Sequence, residues 1–396
     1  MQFIFSGHTL DMDRRELRRG SATIAIEPQV FDLLVYLLQN RGRVISKDDL
    51  IASVWGGRIV SDSSLTSRIN AARKAIGDNG ERQDLIRTFT RKGFRFVGDV
   101  HEDNDFGAAT ASRLDRASLR QNVHFCTTSD GVRIAYAEIG RGPPLVKAAN
   151  YLSHLEYDWQ SPVWSPFLHE LADRYRLTRY DARGNGLSDW VVADFSFEAS
   201  NRDLETVVDA IKVPRFALLG ISQGCAVAVA YAVRNPERVS HLVLYGGFAR
   251  GKRRRGSHKE IAEADALSTL IREGWGRDNP AFRQIFTSLF IPDGTTEQVQ
   301  WWNELQRRTT SPENAMRMRQ AWDEIDITGL LPQVQCSTLV LHCRDDAVQP
   351  FEEGRLLAAE IPRSRFVALE GRNHVILQND PSWPRFLEEI DSFLLS

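Results

Sequence analysis

Gly220-Ile221-Ser222-Gln223-Gly224 is the stretch on which the fold turns. It follows the apolar run Phe216-Ala217-Leu218-Leu219 and precedes residues 225–233, which read as a helix. A strand, a tight turn with a serine at its apex, and a helix form the context of a nucleophile elbow. Such a turn is strained, so small residues two before and two after the serine let strand and helix approach. The hydroxyl then projects above the sheet, and the backbone N–H of Gln223 can meet a developing oxyanion. Residues 216–233 have membrane length as one apolar span. Gly220, Ser222, Gln223 and Gly224 in the middle favour a buried strand, turn and helix instead.

Two later strand ends add the partners a serine needs. Residues 337–342 read as a strand followed by Cys343-Arg344-Asp345-Asp346, which places a carboxylate at its C-terminal end. Residues 365–369 read as the next strand, and His374 lies in the loop after it. A serine hydroxyl is a weak nucleophile at neutral pH. It becomes reactive when a histidine removes its proton and a carboxylate orients the imidazole. From 123 to 250, and again from 337 to 396, strands alternate with helices, the pattern of a parallel sheet with helices on both faces. Residues 248–335 read as mostly helical.

The chain order serine, acid, histidine, with Tyr180-Asp181-Ala182-Arg183-Gly184-Asn185-Gly186-Leu187-Ser188-Asp189, resembles the α/β-hydrolase superfamily over about residues 123–396. The resemblance implies Ser222 as nucleophile, His374 as base and Asp346 as acid. Asp346 is preferred to Asp345 because the family's acid usually stands four residues before a proline, here Pro350. Many relatives carry His-Gly where this chain has Ala149-Asn150-Tyr151, so the oxyanion donors are expected to be the N–H groups of Gln223 and Tyr151. A serine at the elbow suits acyl transfer on esters, thioesters, lactones, amides or activated C–C bonds. The resemblance also implies a helical lid over about 248–335. Its Trp275, Phe282, Phe286, Phe290, Trp301, Trp302, Met316 and Met318 are read as lid core or as the lining of a pocket for an acyl or aromatic group. Residues 153–159 look like a subgroup fused to bacterial regulatory or cyclase domains. His342 reads as structural, and His154 as either core or pocket. The run Arg250-Gly251-Lys252-Arg253-Arg254-Arg255 reads as a solvated hinge face, with DNA or an anionic substrate as the alternative.

The N-terminal quarter follows another pattern. Its first 26 residues read as short antiparallel strands. Pro28 opens a helix over 29–40 with Val30, Leu33, Leu34, Leu37 and Leu38 apolar. Ser46 caps a second helix, with Asp49 three residues on. A third starts near Asp62, with Leu65, Ile69, Ala72 and Ile76 on one face and Ser64, Ser67, Arg68, Asn70, Ala71, Arg73 and Lys74 on the other. It stops at Gly77-Asp78. A hairpin follows, turning at Thr90-Arg91-Lys92-Gly93. This order, with residues 44–50, Val54-Trp55 and Arg91-Lys92-Gly93-Phe94-Arg95-Phe96, resembles the OmpR-type winged-helix domain. The resemblance implies a third helix in the major groove and a wing reaching toward the minor groove. Ser64, Ser67, Arg68, Asn70, Arg73, Lys74, Arg91 and Lys92 are then expected to meet phosphates and base edges of double-stranded DNA. Many relatives carry a receiver domain in front. This sequence opens at the winged helix, so a signal is expected to enter through the C-terminal domain.

Charge supports the division. Residues 1–98 hold 16 Lys and Arg against 11 Asp and Glu, a balance of +5, and the remainder holds 34 against 41, or -7. A basic front on an acidic body fits a polyanion-binding module. Four cysteines without a CxxC pair make no disulfide framework and are expected to be buried, reduced thiols. Residues 1–5 lack a basic segment and a long apolar run, so a soluble, cytoplasmic protein without membrane attachment is expected. No cofactor and no metal ion are called for. The expected architecture is α/β: a winged helix-turn-helix domain (1–98), a linker (99–122) of few apolar residues, and an α/β-hydrolase fold with a helical lid (123–396). The expected function is a DNA-binding transcription regulator, able to pair as a homodimer, whose C-terminal domain binds or hydrolyses a small acyl or aromatic molecule. Two alternatives stand beside it. One is a serine ester or thioester hydrolase with an accessory winged helix, the other an idle hydrolase fold used as a ligand sensor.

Overall fold

The structure, a computed structural model, describes residues 2–12, 15–20, 22–55, 62–90, 92–103 and 121–395. It divides into two units, residues 1–111 and 112–396.

In the first unit, β1 (Gln2–Phe5), β2 (His8–Asp11), β3 (Glu16–Arg19) and β4 (Ala22–Ile24) form an antiparallel run ahead of α1 (Pro28–Gln39), α2 (Lys47–Trp55) and α3 (Asp62–Ala75). The hairpin β5 (Ile86–Phe89) and β6 (Gly93–Phe96) follows, then β7 (His101–Asp103). Among the described residues the sheet order is β4-β3-β2-β1-β7. The pairing of β7 with β1, Phe3 opposite Glu102, carries this unit beyond residue 98, into the segment expected to be linker. Backbone pairing needs no apolar side chains, so composition does not reveal it. Leu33, Leu34 and Leu37 of α1 are buried with Leu65 and Ile69 of α3. Ser46 caps α2 as expected: its Oγ accepts from the Asp49 N–H at 3.0 Å. Gly93 is required where it stands. Its φ is +131°, and a Cβ there would lie 1.8 Å from the Ile45 carbonyl oxygen. That closeness lets Ile45 and Phe94 exchange two backbone hydrogen bonds, at 2.8 and 2.9 Å, which seat the hairpin against the start of α2.

The second unit begins with β8 (Asn122–Thr127), β9 (Arg133–Ile139) and β10 (Pro144–Lys147). Helices α4 (Leu155–Trp159) and α5 (Ser165–Arg174) lead to β11 (Arg176–Tyr180), and α6 (Phe197–Ile211) leads to β12 (Phe216–Ile221). After α7 (Gly224–Arg234) and β13 (Val239–Tyr245) comes a helical insertion: α8 (Lys252–Arg255), α9 (His258–Gly274), α10 (Ala281–Phe290), α11 (Thr296–Thr309) and α12 (Pro312–Asp323). The chain returns through β14 (Ser337–Cys343), α13 (Phe351–Glu360), β15 (Ser364–Leu369) and α14 (Trp383–Leu394). The insertion thus occupies the stretch expected between the two alternating segments. Residues 216–233 are a strand, a turn and a helix, and among the described residues no helix is long and apolar enough to cross a membrane.

The eight strands run in the order β15-β14-β13-β12-β10-β11-β9-β8. Pairing is parallel from β15 through β11 and antiparallel at β9 and β8. β11 lies on one side of β10 and β12 on the other, so the loops leaving β10 and β12 part from each other. In an open parallel sheet that is where a crevice opens at the carboxyl ends of the strands. The segment around Asp181 and Arg183 braces this end. The Asp181 carboxylate accepts from the Leu155 N–H at 3.1 Å and the Leu187 N–H at 2.8 Å. Arg183 pairs with Asp203 and Asp130, each at 2.8 Å.

Candidate functional site

The turn after β12 has the strain its sequence implies. Ser222 sits in the left-handed region, φ +57°, a conformation that costs a non-glycine residue roughly 1–3 kcal/mol. A Cβ on Gly220 would lie 2.6 Å from Cys225 Cα, and one on Gly224 would lie 2.8 Å from the Ala149 carbonyl oxygen. Glycine at both places therefore lets strand and helix close on the serine and lets the loop after β10 come against α7. That loop is strained too: Leu152, next to Tyr151, has φ +61°. Tyr151, Ser222 and Gln223 line one narrow cleft.

The loops after β14 and β15 bring a carboxylate to a histidine. His374 Nδ1 donates to Asp346 Oδ2 at 2.7 Å. The other carboxylate oxygen accepts from the N–H groups of Val348, at 2.8 Å, and Gln349, at 3.0 Å. Asp345 is exposed and makes no such contact with His374. Burial alone would raise the Asp346 carboxyl's pKa. Attraction to His374 when its ring is protonated, together with the hydrogen bonds to the carboxylate, outweighs burial and holds it below the usual value. With Nδ1 carrying a proton, the neutral ring leaves Nε2 as an acceptor. Nε2 is buried without a hydrogen-bond partner among the described residues. Its ring lines a narrow void together with Ser222, Asn150 and Tyr151. The N–H of His374 donates to the Phe290 carbonyl at 2.9 Å, tying the histidine loop to the end of α10. His342 stands behind the acid. It is fully buried, its Nε2 is 3.1 Å from the Gln349 carbonyl and 3.7 Å from Asp346 Oδ2, and burial lowers its pKa.

A buried polar chain holds the loop of Tyr151. Lys147, at the end of β10, donates to Asn150 Oδ1, and Asn150 Nδ2 donates to the Tyr151 carbonyl at 3.1 Å. Burial lowers the Lys147 pKa. His154 serves the local fold, accepting the Tyr157 N–H at 3.3 Å as the cap of α4.

Of the aromatic residues expected in the helical insertion, Phe290 and Trp302 reach the void beside Ser222. Trp275, Phe286 and Met318 are buried core, while Trp301 and Met316 are half-buried against it. Lys252, singled out in the sequence within the cationic run, lines the cleft with Ser222, and so do Arg319 and Asp323, which the sequence reading missed. The spacing of Arg319 and Asp323, four apart on one helix, was the available signal. The cationic run is no bare hinge face. Arg250 pairs with the buried Glu353, Lys252 with Glu263, Arg253 with Asp265, Arg254 with Glu324 and Arg255 with Glu260. Cys225 and Cys343 are buried as expected, but Cys126 and Cys336 are only half-buried.

On α3, Ser64, Ser67, Asn70 and Lys74 are exposed, as is Lys92 in the hairpin turn. Arg68 is half-buried and pairs with Glu27. Arg91 lies outside the described residues. Arg73 is a correction. It was expected on the outer face, but it is 5% exposed and donates to the Ile86 carbonyl at 2.8 and 3.1 Å and to Thr88 Oγ1 at 2.9 Å. Arg73 comes four residues after the buried Ile69 and three before the buried Ile76, so the 3.6-residue period turns it inward. There the hairpin supplies the acceptors its guanidinium needs.

Residues 160–381 match the family model of the α/β hydrolase fold. The chain belongs to the α/β-hydrolase fold family. A pimeloyl-[acyl-carrier protein] methyl ester esterase of Nitrosomonas europaea is 26% identical over 240 residues, 59% of this chain and 90% of the esterase. A solved esterase structure from a Rhodococcus species superposes with a TM-score of 0.57 at 26% identity, over 69% of this chain and 98% of its own. Ahead of the hydrolase domain, residues 21–96 match the model for the C-terminal part of transcriptional regulatory proteins. The transcriptional activator CadC of Escherichia coli is 34% identical over 86 residues, 22% of this chain and 17% of the activator. The α/β-hydrolase chain therefore carries a DNA-binding domain of the transcription-regulator type fused to its hydrolase domain.

Proposed function

We propose that this chain is a DNA-binding regulator whose hydrolase domain is a serine acyl hydrolase, with Ser222, His374 and Asp346 as the reacting set. One observation carries the reading: the 2.7 Å bond from His374 to Asp346, with the free Nε2 on the void that Ser222 also lines. Ser222 Oγ attacks the substrate's carbonyl carbon as its proton passes to Nε2. The N–H groups of Gln223 and Tyr151 meet the charge that develops on the carbonyl oxygen. Collapse expels the leaving group, which takes the proton from His374, and leaves an acyl ester on Ser222. Water, deprotonated by the same histidine, releases the acid. Esters and thioesters are the favoured substrates, in keeping with an esterase among the relatives. On the DNA side, Ser64, Ser67, Asn70, Lys74 and Lys92 are the exposed contacts, Arg68 joins them if it leaves Glu27, and Arg91 is carried over from the winged-helix resemblance.

A ligand-sensing reading without turnover has one observation in its favour. Nε2 of His374 makes no hydrogen bond among the described residues, so the serine–histidine link is open. In unliganded enzymes such links are often long and tighten only around the substrate. A fluorophosphonate probe on the full chain separates the two readings. Labelling of wild type but not of Ser222→Ala supports the hydrolase. No labelling of either, with ligand binding retained, supports the sensor.

A further inference from the structure

We propose that the cleft over Ser222 takes a molecule bearing a free carboxylate away from the bond to be cut, and that Lys252, Arg319 and the Tyr151 hydroxyl receive it. The inference rests on the serine-hydrolase reading for turnover alone, since the anion site stands on its own residues.

The charged lining of the cleft is two cations and one carboxylate: Lys252 on α8, and Arg319 and Asp323 on α12. Asp323 is already engaged. The Arg319 guanidinium spans both its oxygens, Nε to Oδ2 and Nη2 to Oδ1, each at 3.1 Å. The partner of Lys252 is Glu263 on α9, at 3.2 Å, whose side chain is 45% exposed and does not line the cleft. Among the residues that line the cleft, cations therefore outnumber carboxylates by one, and the counter-charge of Lys252 lies outside it. The titration of Lys252 reflects this. Burial lowers its pKa, and the charges of Arg319 and Arg255 lower it further, against the opposing pull of Glu263. An ammonium held in a positive field gains more than an ordinary lysine from an arriving anion.

Tyr151 supplies the second, independent observation. Tyr151 lines the same cleft, and its hydroxyl is buried without a hydrogen-bond partner among the described residues. Buried polar atoms are rarely left this way. Burial raises its pKa while Arg319 lowers it and Asp323 raises it, which places a neutral O–H donor beside that ion pair. The ring is fixed edge-on to Trp322, with centroids 4.9 Å apart. A carboxylate accepts from a phenol and from cations at once. It would satisfy the hydroxyl and give Lys252, whose partner Glu263 does not line the cleft, an acceptor on the cleft side. A neutral alkyl chain does neither, and a cationic ligand would find the only carboxylate already bonded.

The test compares 4-nitrophenyl hydrogen adipate with its neutral counterpart 4-nitrophenyl hexanoate on the full chain. The acid ester should be preferred in kcat/KM by tenfold or more. Lys252→Met and Tyr151→Phe should each reduce that ratio several-fold, with an unchanged circular dichroism spectrum and unfolding midpoint as the check of folding. Equal rates for the two esters, or a ratio unmoved by both variants, overturn the anion site and leave the hydrolase reading intact. If neither ester is cleaved, the hydrolase reading fails, and calorimetric binding of monomethyl adipate decides the anion site. Binding weakened tenfold by Lys252→Met upholds it, and absence of binding overturns it.

Discussion

His374 Nδ1 and Asp346 Oδ2 are 2.7 Å apart, and both side chains are 1% exposed. This contact fixes the imidazole's tautomer and orientation, and in that role a carboxylate differs from an amide of the same shape. Asp346→Asn should keep the fold, because Oδ1 still accepts from Val348 and Gln349, yet turn the wrong ring nitrogen toward Ser222. Turnover of a nitrophenyl ester should fall by about 10⁴-fold in kcat, with an unchanged circular dichroism spectrum. A loss of less than tenfold would remove Asp346 from the reacting set.

Gly224 meets the loop that carries Tyr151. Gly224→Ala places a methyl group 2.8 Å from the Ala149 carbonyl oxygen, and backbone on either side must give. A destabilisation of about 1–3 kcal/mol is expected, measured by urea unfolding. A larger relative loss in kcat should accompany it, because the displaced loop bears Tyr151, the proposed oxyanion donor.

Arg73 and Lys74 are neighbours on α3 with opposite assignments. Arg73→Ala leaves the buried Ile86 carbonyl without its donors, so it should cost about 1–3 kcal/mol in stability. Lys74→Ala should leave the unfolding midpoint unchanged. It should weaken DNA binding across sequences and lower the salt-dependence slope by about 1. Midpoints and salt titrations of both variants check the pair.

Asp78 joins the end of α3 to the hairpin. Its carboxylate accepts the N–H groups of Asn79, Asp84, Leu85 and Ile86 at 2.8 to 3.1 Å. Burial alone would raise its pKa, but those four donors outweigh it and hold the pKa below the usual aspartate value. A depressed folded-state pKa stabilises fully above the unfolded value, near 3.9. That stability is lost as pH falls below it toward the folded value. Asp78→Asn should lower stability at neutral pH and flatten its fall between about pH 5 and 3, as read from denaturation of the full chain.

Much of this was legible in the sequence, for local reasons. Gly220, Ser222 and Gly224 announce their turn because only small residues permit the closeness now seen at Cys225 and Ala149. Ser46 likewise carries a constraint written within a few residues, its bond to the Asp49 N–H. What was not legible depends on distant partners. The polar β7 finds its place only through β1, nearly a hundred residues away. Arg73 lay on the buried stripe by period, but its charge argued for solvent until the acceptors of β5 were in view. Arg319 and Asp323 look like ordinary helix charges, and they become a cleft wall with Lys252 only when α8 and α12 come together beside Ser222.

The central claim is that Ser222 forms the acyl intermediate. Full-length protein mixed with 4-nitrophenyl acetate, acid-quenched and mapped by peptide mass spectrometry tests it directly. The account predicts an acetyl group on the peptide containing Ser222, absent from Ser222→Ala, whose turnover falls to background. Acetylation at another residue, or Ser222→Ala hydrolysing the ester at the wild-type rate, would contradict it.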